Sequence, residues 1–273
     1  MKTIDVDTWE EFERQVQVLI QERMDRKTST GRGSPEFLYR GHSNYQWPLE
    51  TTLEREGEIK CTMTQYHRLI CRVRSQIESF TANRWDVPSP LDFENWLGQS
   101  DPPPFFQVPA YDYLAYLRHH GFPSPLLDWT RSPYVAAYFA FAYASKNSDR
   151  VSIYVYWESS EGIKGGCVGE PEIVSLGPYI RTHRRHFLQQ SQYTCCVARD
   201  SVTSPWHYAP HESAFLRDEP DQDILWKCTI PATERLKVLR LLDGYNLNGY
   251  SLFGSEESLM HTMALRELHF RKA

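Results

Sequence analysis

The hydrophobic pattern opens on a helix. Thr8-Trp9-Glu10-Glu11 is a capping-box signature with Thr8 as N-cap. Trp9, Phe12, Val16, Leu19 and Ile20 then recur at helical spacing, which predicts a helix over about residues 8–23 with one buried stripe. Lys27–Pro35 is polar and glycine-bearing, lacks the GxxxxGK[ST] spacing of a phosphate loop, and reads as a connector. Phe37-Leu38-Tyr39-Arg40-Gly41 is a short apolar run ending in Arg-Gly, the pattern of a strand meeting a turn. A second helix is predicted from about Thr62 to Phe80. Residues 85–109 carry six prolines, a density that predicts a covering loop rather than a helix.

The clearest local pattern begins at Ser132. Ser at the N-cap and Pro133 at the first helical position start a helix over about 133–144. Its turns are apolar or aromatic on every side, so it belongs in the middle of the protein. Strands are predicted at Val151–Trp157, Tyr193–Ala198 and Ile224–Ile230, and further helices at 232–243 and 256–268. Helices and strands alternate without a βαβ period. The expected fold is therefore α+β, a mixed sheet with a central buried helix and surrounding helices, in one domain over residues 1–273.

Composition adds two points. Apolar residues make up 41% of the 273, enough to build a core and to exclude disorder. Eight Trp, 16 Tyr and 13 Phe reach 14%, a supply that builds thick cores and also lines grooves for flat ligands. The net charge of −5 provides no global field toward nucleic acid or anionic membrane, so any such binding needs a local patch. The six cysteines include no CxxC pair, and Cys195 and Cys196 are adjacent, which disfavours a bridge between them. The first residues lack the apolar run of a signal peptide, and Tyr134–Ala144 is too short to span a membrane. The expectation is a reduced cytoplasmic protein.

Candidate chemistry gathers at a few positions. Asp128, between Leu127 and Trp129, reads as partly buried and so requires a cation, Arg131 nearby or Arg40 at a distance. Arg40, followed by Gly41 and His42, can fork onto a phosphate or carboxylate while the glycine lets a ligand approach. It can equally pair with Asp128 as a purely structural element. Arg181–His186 is the one dense basic run, either an anion grip or a solvated helix face. His207, His211 and Glu212 hint at a metal, but Pro210 breaks the helical spacing that a zinc HExxH site needs, and no metal is expected.

Three stretches resemble one family. Phe37–Ser43, with Trp47-Pro48-Leu49 and Thr52–Arg55, is similar to the opening of the FRG domain, with Tyr39 in place of Phe. His119–Pro123 and Leu126–Arg131, with Pro133, Ala136 and Tyr138–Ala140, are similar to its central block. There Arg118 replaces the usual Gln, and Ser124-Pro125 replaces Thr-Arg. Arg185, Gln189, Gln190, Ser191 and Tyr193 are similar to a later segment, so the resemblance runs nearly the length of the chain. A remoter resemblance is to the R–S–E order of ADP-ribosyltransferases, which implies an NAD cofactor and a related fold. It implies Arg40 as the grip on NAD, Thr130 as the strand residue supporting the pocket, and Gln189 or Glu212 in the late acid position. With Arg40 in the binding set stand Gly41, His42, Asp128, Arg131 and Arg185. Two classes stay open: an NAD-dependent transferase or glycohydrolase, and a non-catalytic module for a nucleotide, nucleic acid or protein partner. The macromolecular acceptor is unassigned, and no membrane partner is expected.

Overall fold

The computed structural model describes residues 1–26, 35–57, 61–144, 148–160, 164–166, 168–177, 180–181 and 184–271. All but the last residue of the connector at Lys27–Pro35, and Thr182-His183 of the basic run, lie outside the described residues. In chain order the elements begin with β1 (Lys2–Asp5), α1 (Trp9–Asp25), β2 (Leu38–His42), α2 (Thr52–Arg55), α3 (Met63–Thr81) and α4 (Pro90–Leu97). They continue with α5 (Tyr111–His119), β3 (Leu127–Thr130), α6 (Pro133–Ala142), β4 (Arg150–Ser159), β5 (Glu172–Ser175), α7 (Arg185–Leu188) and β6 (Ser191–Ala198). The last third holds β7 (His207–Tyr208), α8 (His211–Phe215), β8 (Gln222–Pro231), α9 (Arg235–Gly244), α10 (Gly249–Phe253) and α11 (Glu256–Leu265).

The fold is α+β, with an eight-stranded mixed sheet in the order β1-β8-β4-β2-β3-β6-β5 and β7 on β6. Only β1 and β8 run parallel; the other pairs are antiparallel. The register divides it into halves. β4 and β8 stay paired from Arg150 opposite Pro231 to Ser159 opposite Gln222. β2 and β3 share one registered pair, Tyr39 opposite Thr130, and then diverge.

Strand alternation assigns the two faces. Val151, Ile153, Val155 and Trp157 of β4, with Trp226, Cys228 and Ile230 of β8, pack under α1, α6 and α9. Beyond the split, Tyr193, Cys195 and Val197 of β6 pack under α3, α4 and α5. The opposite face, with Trp129, Tyr154, Tyr156 and Leu225, is covered by α8 and Leu49.

The central helix is buried as its all-round apolar sequence demands: seven of its residues, Val135–Tyr138 and Ala140–Ala142, are inaccessible or nearly so. It stops at Ala142, two residues before the expected end: the Tyr143 backbone leaves helical geometry at φ −109° and ψ 18°, and its side chain is 56% exposed. The proline-rich stretch differs from expectation. Within 85–109 the chain forms α4, with Ser89 accepting from the Asp92 amide and Pro90 at the first position. A proline there starts a helix, since its missing N–H would have no intrahelical partner anyway. β3 lies outside the strands read from the hydrophobic pattern; its four residues pair with β6 along their whole length.

Candidate functional site

The split between β2 and β3 opens a cleft of about 520 Å3, within the usual range for ligand pockets. β2 supplies Tyr39, Arg40, Gly41 and His42, and β3 supplies Asp128, Trp129 and Thr130. Arg118 and His119 come from the end of α5, Ala136 and Phe139 from α6, Arg185 from α7, and Phe253 from α10. Gly41 is required by packing. A Cβ there would sit 1.9 Å from the Ala136 carbonyl oxygen, so only glycine lets α6 lie this close to β2.

Arg40 sits in the floor, its side chain 13% exposed. Its Nε donates to His42 Nε2 at 3.0 Å and its Nη1 to the Asp128 carbonyl at 2.7 Å, while the Asp128 carboxylate lies 4.0 Å away. Burial, offset by Asp128, lowers the Arg40 pKa to about 10, which still leaves it charged at neutral pH. The closer partner of Asp128 is Arg118, whose Nη2 reaches Oδ2 at 2.8 Å with the guanidinium 14% exposed. Asp128 Oδ1 and Arg118 Nε are both buried without a protein partner, the unmade second half of the same fork. Two mostly buried guanidiniums therefore share one carboxylate. Arg55 and Arg185 add to the positive lining, and Asp128 is the one carboxylate among the described residues lining the cleft.

His42 is neutral. Burial and the neighbouring Arg40 push its pKa down to about 3, consistent with its Nε2 accepting from that arginine. The walls are aromatic, with Trp47, Phe139, Tyr143 and Phe253 lining the cleft. The Arg185 guanidinium lies over the Phe253 ring at 5.4 Å.

The polar residues of the late chain act as ties. Thr130 Oγ1 donates to the Gln189 carbonyl at 2.7 Å and accepts from the Ser132 amide at 3.1 Å. Gln189 Nε2 donates to the Leu252 carbonyl at 3.1 Å. These bonds join the end of β3, the α7–β6 turn and α10 around one wall.

The structure thus brings Arg40, Gly41, His42, Asp128, Thr130, Arg185 and Gln189 to one cleft. Arg131 and Glu212 do not line it. Arg131 pairs with Glu36 at the surface, because the extended backbone at the end of β3 points it away from Asp128. Glu212 is exposed in the first turn of α8 and its Oε1 accepts from the Leu49 amide at 3.4 Å. The basic run divides. Arg185 faces the cleft and His186 is buried against Tyr193, whereas Arg181 is exposed. His211 is also buried, with Nε2 2.9 Å from Thr194 Oγ1, and among the described residues no group of three His, Cys, Asp or Glu could hold a metal. Five cysteines are unbridged among the described residues. No helix among them is long and apolar enough to cross a membrane.

Sequence reasoning missed Arg118 as the principal partner of Asp128. Its place one residue before the His-His-Gly helix end was the available signal, since the last turn of α5 faces the same split.

Residues 35–149 match the FRG domain. This segment carries β2, α5, β3 and α6, hence Arg40, Arg118, Asp128 and Thr130; Arg185, Gln189 and Phe253 come from beyond it. No curated protein and no solved structure matches the chain.

Proposed function

We propose that this FRG-domain chain is an NAD-binding, ADP-ribosyltransferase-like protein whose cleft grips the dinucleotide by its pyrophosphate. One observation carries the reading: Arg40 and Arg118, both mostly buried, share the single carboxylate of Asp128. An uncompensated guanidinium in a desolvated cleft is a strong anion site, because its field is weakly screened and its donors are already oriented. The Arg40 Nη2 group has no acceptor among the described residues, and Arg55 and Arg185 flank the same space. Trp47, Phe139, Tyr143 and Phe253 offer flat apolar surface for an adenine or nicotinamide ring.

Cleaving the nicotinamide bond also needs a carboxylate near the developing ribosyl cation. Glu212 lies outside the cleft and Gln189 carries no charge, so Asp128 is the residue suited to that role. The second reading, a non-catalytic nucleotide-binding module, is favoured by the engagement of Asp128 with Arg118. Titrating the protein with NAD while following nicotinamide release separates the two. Turnover that disappears in Asp128→Asn supports the enzyme, and saturable binding without turnover supports the module. Absence of both, in a folded protein, overturns the dinucleotide reading.

A further inference from the structure

One wall of the cleft is formed and backed by three aromatic groups that the reading above does not use. His119, at the end of α5, lines the cleft. Its Nε2 lies 2.6 Å from the hydroxyl of Tyr193, on β6. That hydroxyl lies 3.3 Å from Nδ1 of His186, whose ring stacks on Tyr193 with an 18° interplanar angle. Tyr193 and His186 are buried, and His119 is partly accessible.

The distances give the line a direction. A separation of 2.6 Å suits an O–H donor better than an N–H donor, which favours the assignment in which the Tyr193 hydroxyl donates to His119 Nε2. The Tyr193 oxygen then accepts from the His186 Nδ1–H. With Nε2 occupied as an acceptor, the single proton of a neutral His119 resides on Nδ1. Burial also lowers the His119 pKa, against the pull of Asp128, which favours the neutral ring. Nδ1 makes no hydrogen bond among the described residues and is not sealed from solvent.

We propose that His119 is a specificity-determining donor of the cleft: its Nδ1–H binds an uncharged oxygen of the ligand, with the ring held in that tautomer by Tyr193 backed by His186. The arginines recognise charge and attract any phosphate. A fixed neutral N–H discriminates by position, since it rewards a hydroxyl or carbonyl oxygen held at a set place beside the phosphates. Tyr193 is a positioning residue, because it acts through His119. This proposal rests on the dinucleotide reading for the identity of the ligand, and on geometry alone for the tautomer.

The test has two arms that fail separately. In the first, imidazole ¹⁵N NMR of the ligand-free protein at neutral pH reads the tautomer. The expected result is a protonated Nδ1 and a bare Nε2 at His119, with the preference weakened or reversed in Tyr193→Phe. A protonated Nε2 in the parent protein, or a tautomer indifferent to Tyr193→Phe, overturns the proposal whatever ligand binds. In the second, NAD and ADP-ribose are titrated calorimetrically into the parent protein, His119→Ala and Tyr193→Phe. His119→Ala should weaken binding about tenfold, the value of one good neutral hydrogen bond. Tyr193→Phe should weaken it less. Equal weakening for both ligands assigns the oxygen to a ribose, and weakening for NAD alone assigns it to the carboxamide. Unchanged affinity for both ligands in a folded His119→Ala overturns the proposal. A parent protein that binds neither ligand overturns the dinucleotide reading, and the tautomer result then stands or falls by itself.

Discussion

Two ionic sites on the same sheet differ in stoichiometry and in burial: one is a sealed lysine–aspartate pair, the other two mostly buried guanidiniums around an aspartate that is 36% exposed. On one, Lys164 pairs with Asp223, whose Oδ1 also accepts from the Tyr156 hydroxyl at 2.8 Å. Lys164 donates in addition to the Ile173 carbonyl, so the cluster ties β4, β5 and β8 together. The ion-pair contact is one lysine to one aspartate, with Glu172 close enough to feel both charges, and the Asp223 carboxylate is almost sealed at 3% side-chain exposure. At the β2–β3 split two guanidiniums meet one carboxylate, and the arginine floor opens into a cleft. On the proposed reading, the excess charge beside the opening is what an anionic ligand would balance.

The largest expected effect comes from removing one partner of the lysine–aspartate pair. Lys164→Met should destabilise the fold by about 3–5 kcal/mol, because the Asp223 carboxylate is left buried without a cation. Ligand affinity, measured on the folded fraction, should be unchanged. A denaturant midpoint equal to that of the parent would place the pair among clusters of no structural weight.

Acid provides the next largest effect, through a buried neutral imidazole on the covered face. Burial holds the His211 pKa near 3, against an ordinary value of 6.5. The unfolded chain therefore binds a proton that the folded chain refuses, and stability falls as pH drops from about 6.5 toward 3. His42, also near 3, acts in the same direction. The expected loss is several kcal/mol, given about 1.4 kcal/mol for each pH unit of difference. His211→Gln should flatten the dependence of the melting temperature on pH across that window, and an unaltered slope would assign the loss to other groups.

At the split, Arg40→Met should change ligand binding far more than folding. Asp128 retains Arg118 at 2.8 Å, so no carboxylate is orphaned and the stability change should stay near 1–2 kcal/mol. Affinity for NAD or pyrophosphate should fall roughly ten- to a hundredfold with the loss of a charge-assisted contact. A binding isotherm that matches the parent would remove Arg40 from the site.

The smallest effect is expected at Arg118. Arg118→Gln removes one guanidinium and leaves Asp128 with Arg40 at 4.0 Å, one cation for one anion. Stability should change by about 1 kcal/mol or less, and anion affinity should fall about tenfold. If the excess charge is what binds, this balanced variant is the weaker binder of the two proteins.

Much of the scaffold was legible in the order of residues. Capping signatures fit α1 and the start of α6, helical spacing adds the buried stripe of α1, and a helix that is apolar all round, as α6 is, has nowhere to lie except the core. Alternation and β-branched or aromatic content fit β4, β6 and β8 to within two residues. The short pieces escaped: β1 and β3 are four residues each, and β7 is two, too brief for a period to emerge. α4 escaped because proline density says little without the position of each proline relative to a cap.

The candidate site shows the same division. The order of residues was enough to pick out the groups with chemistry to offer: an arginine beside a glycine, a partly buried aspartate between apolar neighbours, and a supply of aromatic rings. Tertiary structure alone decided their partners. Arg131, three residues from Asp128, turns to Glu36, while Arg118, ten residues away, becomes its ion pair. Side chains on a strand alternate faces, and a helix end delivers its last turn wherever packing directs it. Neighbours in sequence are thus sent apart and distant residues brought together. Charge imbalance is a property of such a meeting, and it exists only once β2 and β3 have diverged and α5 has reached the gap.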